Sequence, residues 1–132
     1  MILVDSNIIF DLLDNDPKWC AWSGAQLQRW IQLDQMAVNA IVYAEISPRY
    51  RSESMVDQLL KELKLDFIEI PRSAAFLAGK AHFQYRRRGG PRTSILPDFF
   101  IGAHATVARY SILTRDTARY ATYFPAVPLI TP

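Results

Sequence analysis

The chain has 132 residues, of which 50% are hydrophobic and 21% are charged, and its formal net charge is +2. This composition is typical of a soluble globular protein and excludes a disordered chain. The single cysteine, Cys20, cannot form an internal disulfide, which favours a reducing compartment such as the cytoplasm. No apolar run approaches the roughly 20 residues that span a membrane, and Asp5 interrupts the first run, so we expect neither a membrane helix nor a signal peptide.

Apolar runs and stretches of helical periodicity alternate along the chain. In its first half the pattern predicts a strand at 1–4, helices at 8–13 and 18–33, a strand at 36–39, and a helix from 41 that Pro48 should end or kink. In its second half it predicts a helix at 53–63, a strand at 67–70, helices at 73–87 and 97–109, a strand at 111–113, and a possible edge strand at 128–130. No internal repeat or linker divides the chain, so we expect one domain over residues 1–132.

Short, almost wholly apolar strands between helices are typical of a parallel sheet that is covered on both faces. We therefore expect the α/β class, with a three-layer α/β/α sandwich around a central, mainly parallel sheet of four to five strands. In such sheets, ligands bind beyond the carboxyl ends of the strands. Polar residues at those strand ends are therefore candidate functional residues.

Two acids directly follow predicted strands. Asp5 ends the first strand, in MILVDSN, and Asp116 closes ILTRD just beyond the fourth. Each position has a structural explanation, because aspartate caps helices and initiates turns. Each is equally suited to a ligand position at the rim of the sheet.

Two further acids lie within predicted helices. Glu45 lies in AIVYAEIS among apolar neighbours, where it needs either an arginine partner such as Arg49 or a cation. Asp98 lies in the first turn of LPDFFIGAHA, where the helix dipole stabilises an acid. The face of the helix that follows Asp98 is small and apolar, which directs this acid toward the top of the core.

Convergence of these four carboxylates at one rim would require that several of them take up protons or that they recruit a cation. Two like charges about 4 Å apart cost on the order of 4 kcal/mol at an effective dielectric near 20. Oxygen ligands without cysteine or histidine select hard ions such as Mg²⁺ or Mn²⁺. Such an ion activates water and stabilises charge on phosphorus, so the predicted chemistry is metal-assisted phosphodiester hydrolysis.

Four segments of the sequence, which include the acids described above, resemble the PIN-domain ribonucleases, and most closely the VapC-type toxins of bacterial toxin–antitoxin pairs. These segments are MILVDSNIIFDLL, VYAEI, ILPDFFIGAHA and SILTRDTARYATYFPAVPLITP. The resemblance implies a Mg²⁺- or Mn²⁺-dependent endoribonuclease that hydrolyses RNA with metal-activated water. It also implies a small antitoxin protein that occludes the site, and a homodimer.

The resemblance assigns roles residue by residue. The family's catalytic and metal-binding acids fall on Asp5, Glu45, Asp98 and Asp116. Supporting polar residues fall on Ser6, Asn7 and Thr114. Some members carry a further acid three positions after the last one, and here that position is Arg119, which puts a two-metal site in doubt.

Two other clusters have open interpretations. The arginines that could bind RNA are Arg86, Arg87, Arg88, Arg92 and Arg115, although such a cluster is more often a solvated face. The predicted helix at 18–33 carries Trp19, Trp22 and Trp30, which belong either to a large core or to a contact surface for a partner.

Other functional classes have weaker support. The chain contains neither a GxGxxG turn nor a GxxxxGK[ST] loop, which argues against a nucleotide-binding fold. His82 and His104 lie within helices and are better explained as packing or surface residues. The remaining alternatives are a receiver-like signalling module, which would need a lysine after a late strand, and a catalytically inactive PIN-like binding module.

Overall fold

The computed structural model describes residues 1–90 and 95–132, and within these ranges strands and helices alternate. The strands are β1 (Ile2–Val4), β2 (Met36–Val38), β3 (Leu65–Phe67), β4 (Ser111–Leu113) and β5 (Leu129–Ile130). The helices are α1 (Ser6–Leu13), α2 (Cys20–Trp30), α3 (Ala40–Ile46), α4 (Glu53–Glu62), α5 (Arg72–Arg87), α6 (Leu96–Ala108) and α7 (Thr117–Ala121). A 3₁₀ turn at Ser47–Arg49 follows α3.

The five strands form one parallel sheet in the order β3-β2-β1-β4-β5. β1 lies at the centre, where Ile2 pairs with Met36 on one side and with Ser111 on the other. The chain builds β1, β2 and β3 outward in one direction and then crosses back to β4, so the order reverses between β1 and β4. In open parallel sheets the crevice beyond the strand ends at such a reversal is the usual ligand site.

Helices flank this sheet, which confirms the expected three-layer α/β/α class. α1 packs against α2 and α3, α5 packs mainly against α6, and α4 contacts β3. The whole of β1 is buried, as expected of a central strand that is covered on both faces. Gly102 allows α6 to approach Phe124 closely, because a Cβ there would lie 2.2 Å from the phenyl ring. In the described parts of the chain, no helix has the length and apolarity needed to cross a membrane.

The structure shifts the ends of most predicted elements by one to three residues, and the helix expected at 18–33 is Cys20–Trp30. Two differences are larger in their consequences. The third strand was expected at 67–70, but β3 is Leu65–Phe67, so the predicted bounds were wrong. Leu65, Asp66 and Phe67 pair with β2, and Leu65 is buried. The apolar residues Ile68 and Ile70, on which the prediction was based, lie after the paired strand and before α5. The short helix α7 was not predicted, since its five residues show no apolar period long enough to detect.

A buried polar pair joins α3 to α6. Asn39 caps α3, and its Oδ1 accepts from the backbone N–H groups of Ile41 and Val42. Its Nδ2 donates to Nδ1 of His104 over 3.3 Å, and both side chains are buried. An amide nitrogen only donates, so the ring nitrogen accepts and the imidazole is neutral with its proton on Nε2. Burial also lowers the pKa of His104.

We expect the free energy of unfolding to fall as the pH drops below about 6.5, the ordinary histidine pKa. Below that pH the unfolded chain takes up a proton that folded His104 resists, so the unfolded state binds more protons and is favoured. Urea denaturation at several pH values measures this slope, which His104→Gln should remove and His82→Gln should retain. An unchanged slope in His104→Gln would contradict the assignment.

Candidate active site

Asp5 lies directly beyond β1 at the point where the strand order reverses, and its side chain is completely buried. As the N-cap of α1, its Oδ1 accepts from the backbone N–H of Ser6 over 2.8 Å. Its Oδ2 accepts from the hydroxyl groups of Thr114, over 2.8 Å, and Tyr120, over 2.9 Å. The capping interpretation is therefore correct, and the second oxygen also lies in a network that joins α1, the end of β4 and α7.

Asn7 and Thr114 link the ends of β1 and β4. Asn7 Nδ2 donates to Thr114 Oγ1 over 3.2 Å and, more weakly, to Asp5 Oδ2 over 3.4 Å, while its Oδ1 accepts from the backbone N–H of Arg115. Thr114 Oγ1 also accepts from the backbone N–H of Asp116 over 3.0 Å. The hydrogen bonds of these two side chains thus fix the position of Asp5 relative to the loop that carries Asp116.

Glu45 reaches the same region from α3. Its Oε2 accepts from the hydroxyl of Ser6 over 3.2 Å. Although the residue as a whole is open to solvent, desolvation of its carboxyl group, reinforced by the charge of Asp5, raises the pKa of Glu45. Arg49 instead pairs with Asp14, so the alternative in which Arg49 neutralises Glu45 was wrong.

Asp98 and Asp116 approach from the N-termini of two helices. Asp98 Oδ2 accepts from the backbone N–H of Ile95 over 3.1 Å, which leaves Oδ1 directed at the guanidinium of Arg119 over 3.8 Å. Asp116 caps α7 through a bond from the backbone N–H of Arg119 to Oδ1 over 3.1 Å. Both acids therefore serve as caps and also contribute charge to the rim of the sheet.

The guanidinium of Arg119 lies among three of the four predicted acids. Its Nη1 is 3.4 Å from Asp5 Oδ2, and its Nε is 3.3 Å from Asp116 Oδ2, in addition to the contact with Asp98. Burial opposes the charged form, but the carboxylate of Asp5 and the other nearby groups outweigh it, so the pKa of Arg119 is raised above its ordinary value. The structure thus brings Asp5, Asp98 and Asp116 around one internal cation, with Glu45 adjoining through Ser6.

Two residues of this site, Arg119 and Tyr120, were not predicted from the sequence. Arg119 was noted only as a departure from the family pattern, and Tyr120 was not considered. Tyr120 is completely buried, and burial together with the charge of Asp5 raises its pKa. The available signal was position, since both residues lie three and four residues after Asp116, on the turn that this aspartate caps.

The donor set suits a hard divalent ion, because all four side chains offer carboxylate oxygens. The spacing of these side chains, however, is not that of a metal site. Within residues 1–90 and 95–132, no three histidine, cysteine or acidic side chains are grouped closely enough to hold a metal. The observed separations are those of carboxylates arranged around a guanidinium. The chemistry of the residues therefore fits Mg²⁺ or Mn²⁺, whereas their arrangement is set by Arg119.

The predicted RNA-binding arginines occupy different surroundings. Arg86 lines a cleft of about 600 Å³ with His82, Tyr85 and Pro97, beside the N-terminus of α6 that carries Asp98. Arg87 and Arg88 are exposed at the end of α5. Arg92 lies outside the described residues.

Arg115 is held within the fold. Its Nε and Nη2 each donate to Asp11 over 2.8 Å, and Asp11 also accepts from the hydroxyl of Ser23 over 2.6 Å. The guanidinium carbon lies 5.2 Å from the centre of the Trp19 ring. The charge of Arg115 is therefore committed to a buried acid that joins α1, α2 and the loop after β4.

The tryptophans at and near α2 are neither fully buried in the core nor fully exposed as a contact surface. Trp19, Trp22 and Trp30 are all half-buried, and the rings of Trp19 and Trp22 meet edge to face with centres 6.3 Å apart. On the neighbouring face Leu27 is buried, whereas Ile31 is 39% exposed. The cluster covers part of the core and also remains accessible, so its role in a partner contact stays a prediction.

A family model for the PIN domain matches residues 2–125 of the chain. The match extends over nearly the whole sequence, and the chain belongs to the PIN-domain family. This result confirms the family resemblance that the sequence segments indicated. A comparison with curated proteins found no match.

Solved structures share the fold over the full length of the chain. One of them is a chain from VapBC2 of Rickettsia felis, a complex bound to a DNA fragment from its promoter. Its TM-score is 0.74 at 17% identity, and the alignment covers 100% of this chain and 99% of that chain. A chain from a toxin–antitoxin complex of Klebsiella pneumoniae has a TM-score of 0.72 at 24% identity, covering 100% and 98%. VapBC-1 from nontypeable Haemophilus influenzae gives 0.70 at 21% identity, covering 99% and 98%. At these identities the likeness establishes the fold alone.

The receiver-like alternative does not agree with the topology. Receiver-like sheets have the strand order 2-1-3-4-5, in which β1 and β3 are neighbours. Here β1 pairs with β2 and β4, and the acids follow β1 and β4. The receiver-like interpretation was therefore wrong.

Proposed function

We propose that this protein is a Mg²⁺- or Mn²⁺-dependent endoribonuclease of the VapC type, the toxin of a toxin–antitoxin pair. One observation carries the proposal: beyond the carboxyl ends of β1 and β4, Asp5, Asp98 and Asp116 contact one guanidinium, and Glu45 adjoins them through Ser6. Helix capping explains Asp5, Asp98 and Asp116 singly, but it does not explain why these acids and Glu45 lie at one rim, where a divalent ion would use them. Membership of the PIN-domain family and the fold shared with toxin–antitoxin complexes support the same function.

The residues that would hold the ion are Asp5, Glu45, Asp98 and Asp116. When bound, a divalent ion supplies an activated water and stabilises the charge that develops at phosphorus. The hydroxyl groups of Thr114 and Tyr120 hold Asp5 in one orientation, and Ser6 does the same for Glu45. These bonds orient the carboxylate groups of Asp5 and Glu45 toward the rim of the sheet, as hydrogen bonds to metal-ligating side chains generally do.

The RNA backbone would approach along the end of α5. Arg86 lies in the cleft beside α6, and Arg87 and Arg88 add positive charge nearby. Lysine and arginine side chains attract phosphates, so these arginines would offset the repulsion between RNA and the acids. Arg92 remains part of this proposal, whereas Arg115 is occupied by Asp11 and would contribute less.

The proposed partners are a small antitoxin that occludes the acids and a second copy of the chain, within the cytoplasm and with residues 1–132 acting as one domain. The support is the fold shared with chains of VapBC and other toxin–antitoxin complexes. Analytical ultracentrifugation of the purified chain tests the homodimer, and a sedimentation coefficient that stays at the monomer value at high concentration would contradict it.

Incubation of the purified chain with RNA tests the proposed reaction. We expect internal cleavage when Mg²⁺ or Mn²⁺ is present and none after EDTA, because the carboxylates alone repel the substrate. Products separated on a denaturing gel give the result. Cleavage that persists in EDTA, or no cleavage of any RNA with either ion, would contradict the proposal.

The position of Arg119 favours a second candidate function, a catalytically inactive PIN-like module that binds RNA or protein. In that case the guanidinium neutralises the acids permanently, and a metal has no role. The two candidates differ in a simple result, since the inactive module would bind RNA with the same affinity in Mg²⁺ and in EDTA and would leave it intact.

A further inference from the structure

Arg119 provides the positive charge that the acid cluster needs. It makes ionic contacts with Asp5, Asp98 and Asp116, which come from three different parts of the chain. A divalent ion bound to the same carboxylates would lie directly beside the positively charged guanidinium of Arg119. The two cations cannot occupy this space together without strong repulsion.

We propose that Arg119 is an internal competitor of the divalent ion, which occupies the acids in the metal-free protein and withdraws when the ion binds. This inference rests on the proposed function, which assigns these acids as ligands. It assigns to Arg119 the control of metal affinity at that site. Withdrawal of the guanidinium would let the carboxylates close from their present spacing onto an ion.

The local structure allows this exchange. The side chain of Arg119 is 24% exposed, so the guanidinium has a route to solvent. The backbone of Arg119 is fixed independently, because its N–H donates to Asp116 Oδ1. Asp5 also remains satisfied after withdrawal, since Thr114, Tyr120 and the backbone of Ser6 still donate to it. A side-chain movement is therefore sufficient, without a change in the fold.

The competition predicts that Arg119→Gln binds Mn²⁺ more tightly than the unmodified chain does. Removal of one positive charge in direct contact with the ligands should lower the dissociation constant at least about tenfold. Isothermal titration calorimetry with Mn²⁺ alone, without RNA, measures it. Arg49→Gln is the matched control, because it removes a guanidinium that pairs with the half-exposed Asp14 and not with the site acids. Its dissociation constant should remain within about twofold of the original.

A second measurement uses the unmodified chain, so that the test does not depend on the variant folding. In a ¹H–¹⁵N spectrum, the Nε–H signal of Arg119 should move during titration with Mg²⁺, because its contact with Asp116 breaks. The Nε–H signal of Arg115, which donates to Asp11, should stay in place.

These results separate the inference from the proposed function. Tighter Mn²⁺ binding by Arg119→Gln supports the competition even if no RNA is cleaved. Equal or weaker binding by Arg119→Gln, an Arg119 signal that is unaffected by saturating Mg²⁺, or no metal binding by either form would overturn it, even if RNA cleavage is observed.

Discussion

Asp98→Asn is expected to reduce Mg²⁺-dependent RNA cleavage by at least about a thousandfold, because a neutral amide replaces a proposed ligand of the ion. The fold should be retained. The side chain of Asp98 is partly exposed, and the amide oxygen of asparagine can still accept from the backbone N–H of Ile95. Initial rates of cleavage of a labelled RNA measure the loss, and circular dichroism and thermal unfolding show whether the variant is folded.

A suitable control is Glu53→Gln, which removes a carboxylate from the first turn of α4, outside the acid cluster. It changes the net charge by the same amount as Asp98→Asn, and it should cleave RNA at the original rate because Glu53 is not a proposed ligand. Full activity in folded Asp98→Asn would remove the proposed mechanism. Asp5→Asn is a less informative variant, because Asp5 is completely buried and its loss also disturbs Thr114 and Tyr120.

Asp11→Ala is expected to lower the free energy of unfolding by about 3 kcal/mol. Asp11 is buried and receives two bonds from Arg115 and one from Ser23. The substitution leaves a largely buried guanidinium without its counter-ion and a buried hydroxyl without its acceptor. Urea denaturation monitored by tryptophan fluorescence measures the change, since Trp19 lies beside Arg115.

The matched control for this prediction is Asp14→Ala in the residue that follows α1. Asp14 pairs with Arg49, but half of its side chain is exposed, so the ion pair is screened by water. We expect no measurable change in stability. An equal loss in the two variants would show that the buried Asp11 network contributes no more to stability than the exposed pair of Asp14 and Arg49.

The acids of the site also have structural roles, and this overlap explains why neither interpretation could be chosen from sequence. Asp5 and Asp116 cap α1 and α7, and Asp98 binds the first backbone N–H before α6. Each cap uses one carboxylate oxygen and leaves the other directed at Arg119. A residue that fixes a helix start is itself held in place, which suits a ligand that must be preorganised.

The sequence by itself determined the class of the fold and the edge at which the acids lie. Apolar strands between helices predict a parallel sheet, and residues after β1 and β4 must meet where the strand order reverses. The short segments around Asp5, Glu45, Asp98 and Asp116, and their order along the chain, were also sufficient to identify the PIN-domain family, which the family model matches. These features depend on local residue patterns and on their order along the chain, and both can be read directly from the amino-acid sequence.

Only the tertiary structure decided which charges meet. Arg115 and Arg119 lie four residues apart, yet one pairs with Asp11 and the other with Asp5, Asp98 and Asp116. Likewise, Glu45 receives a bond from Ser6, and Arg49 turns to Asp14. The partner of a long, flexible cation depends on the direction of its side chain and on residues that are distant from it along the chain. Charge pairing of that kind is a property of the packed chain, and no periodicity in the sequence encodes it.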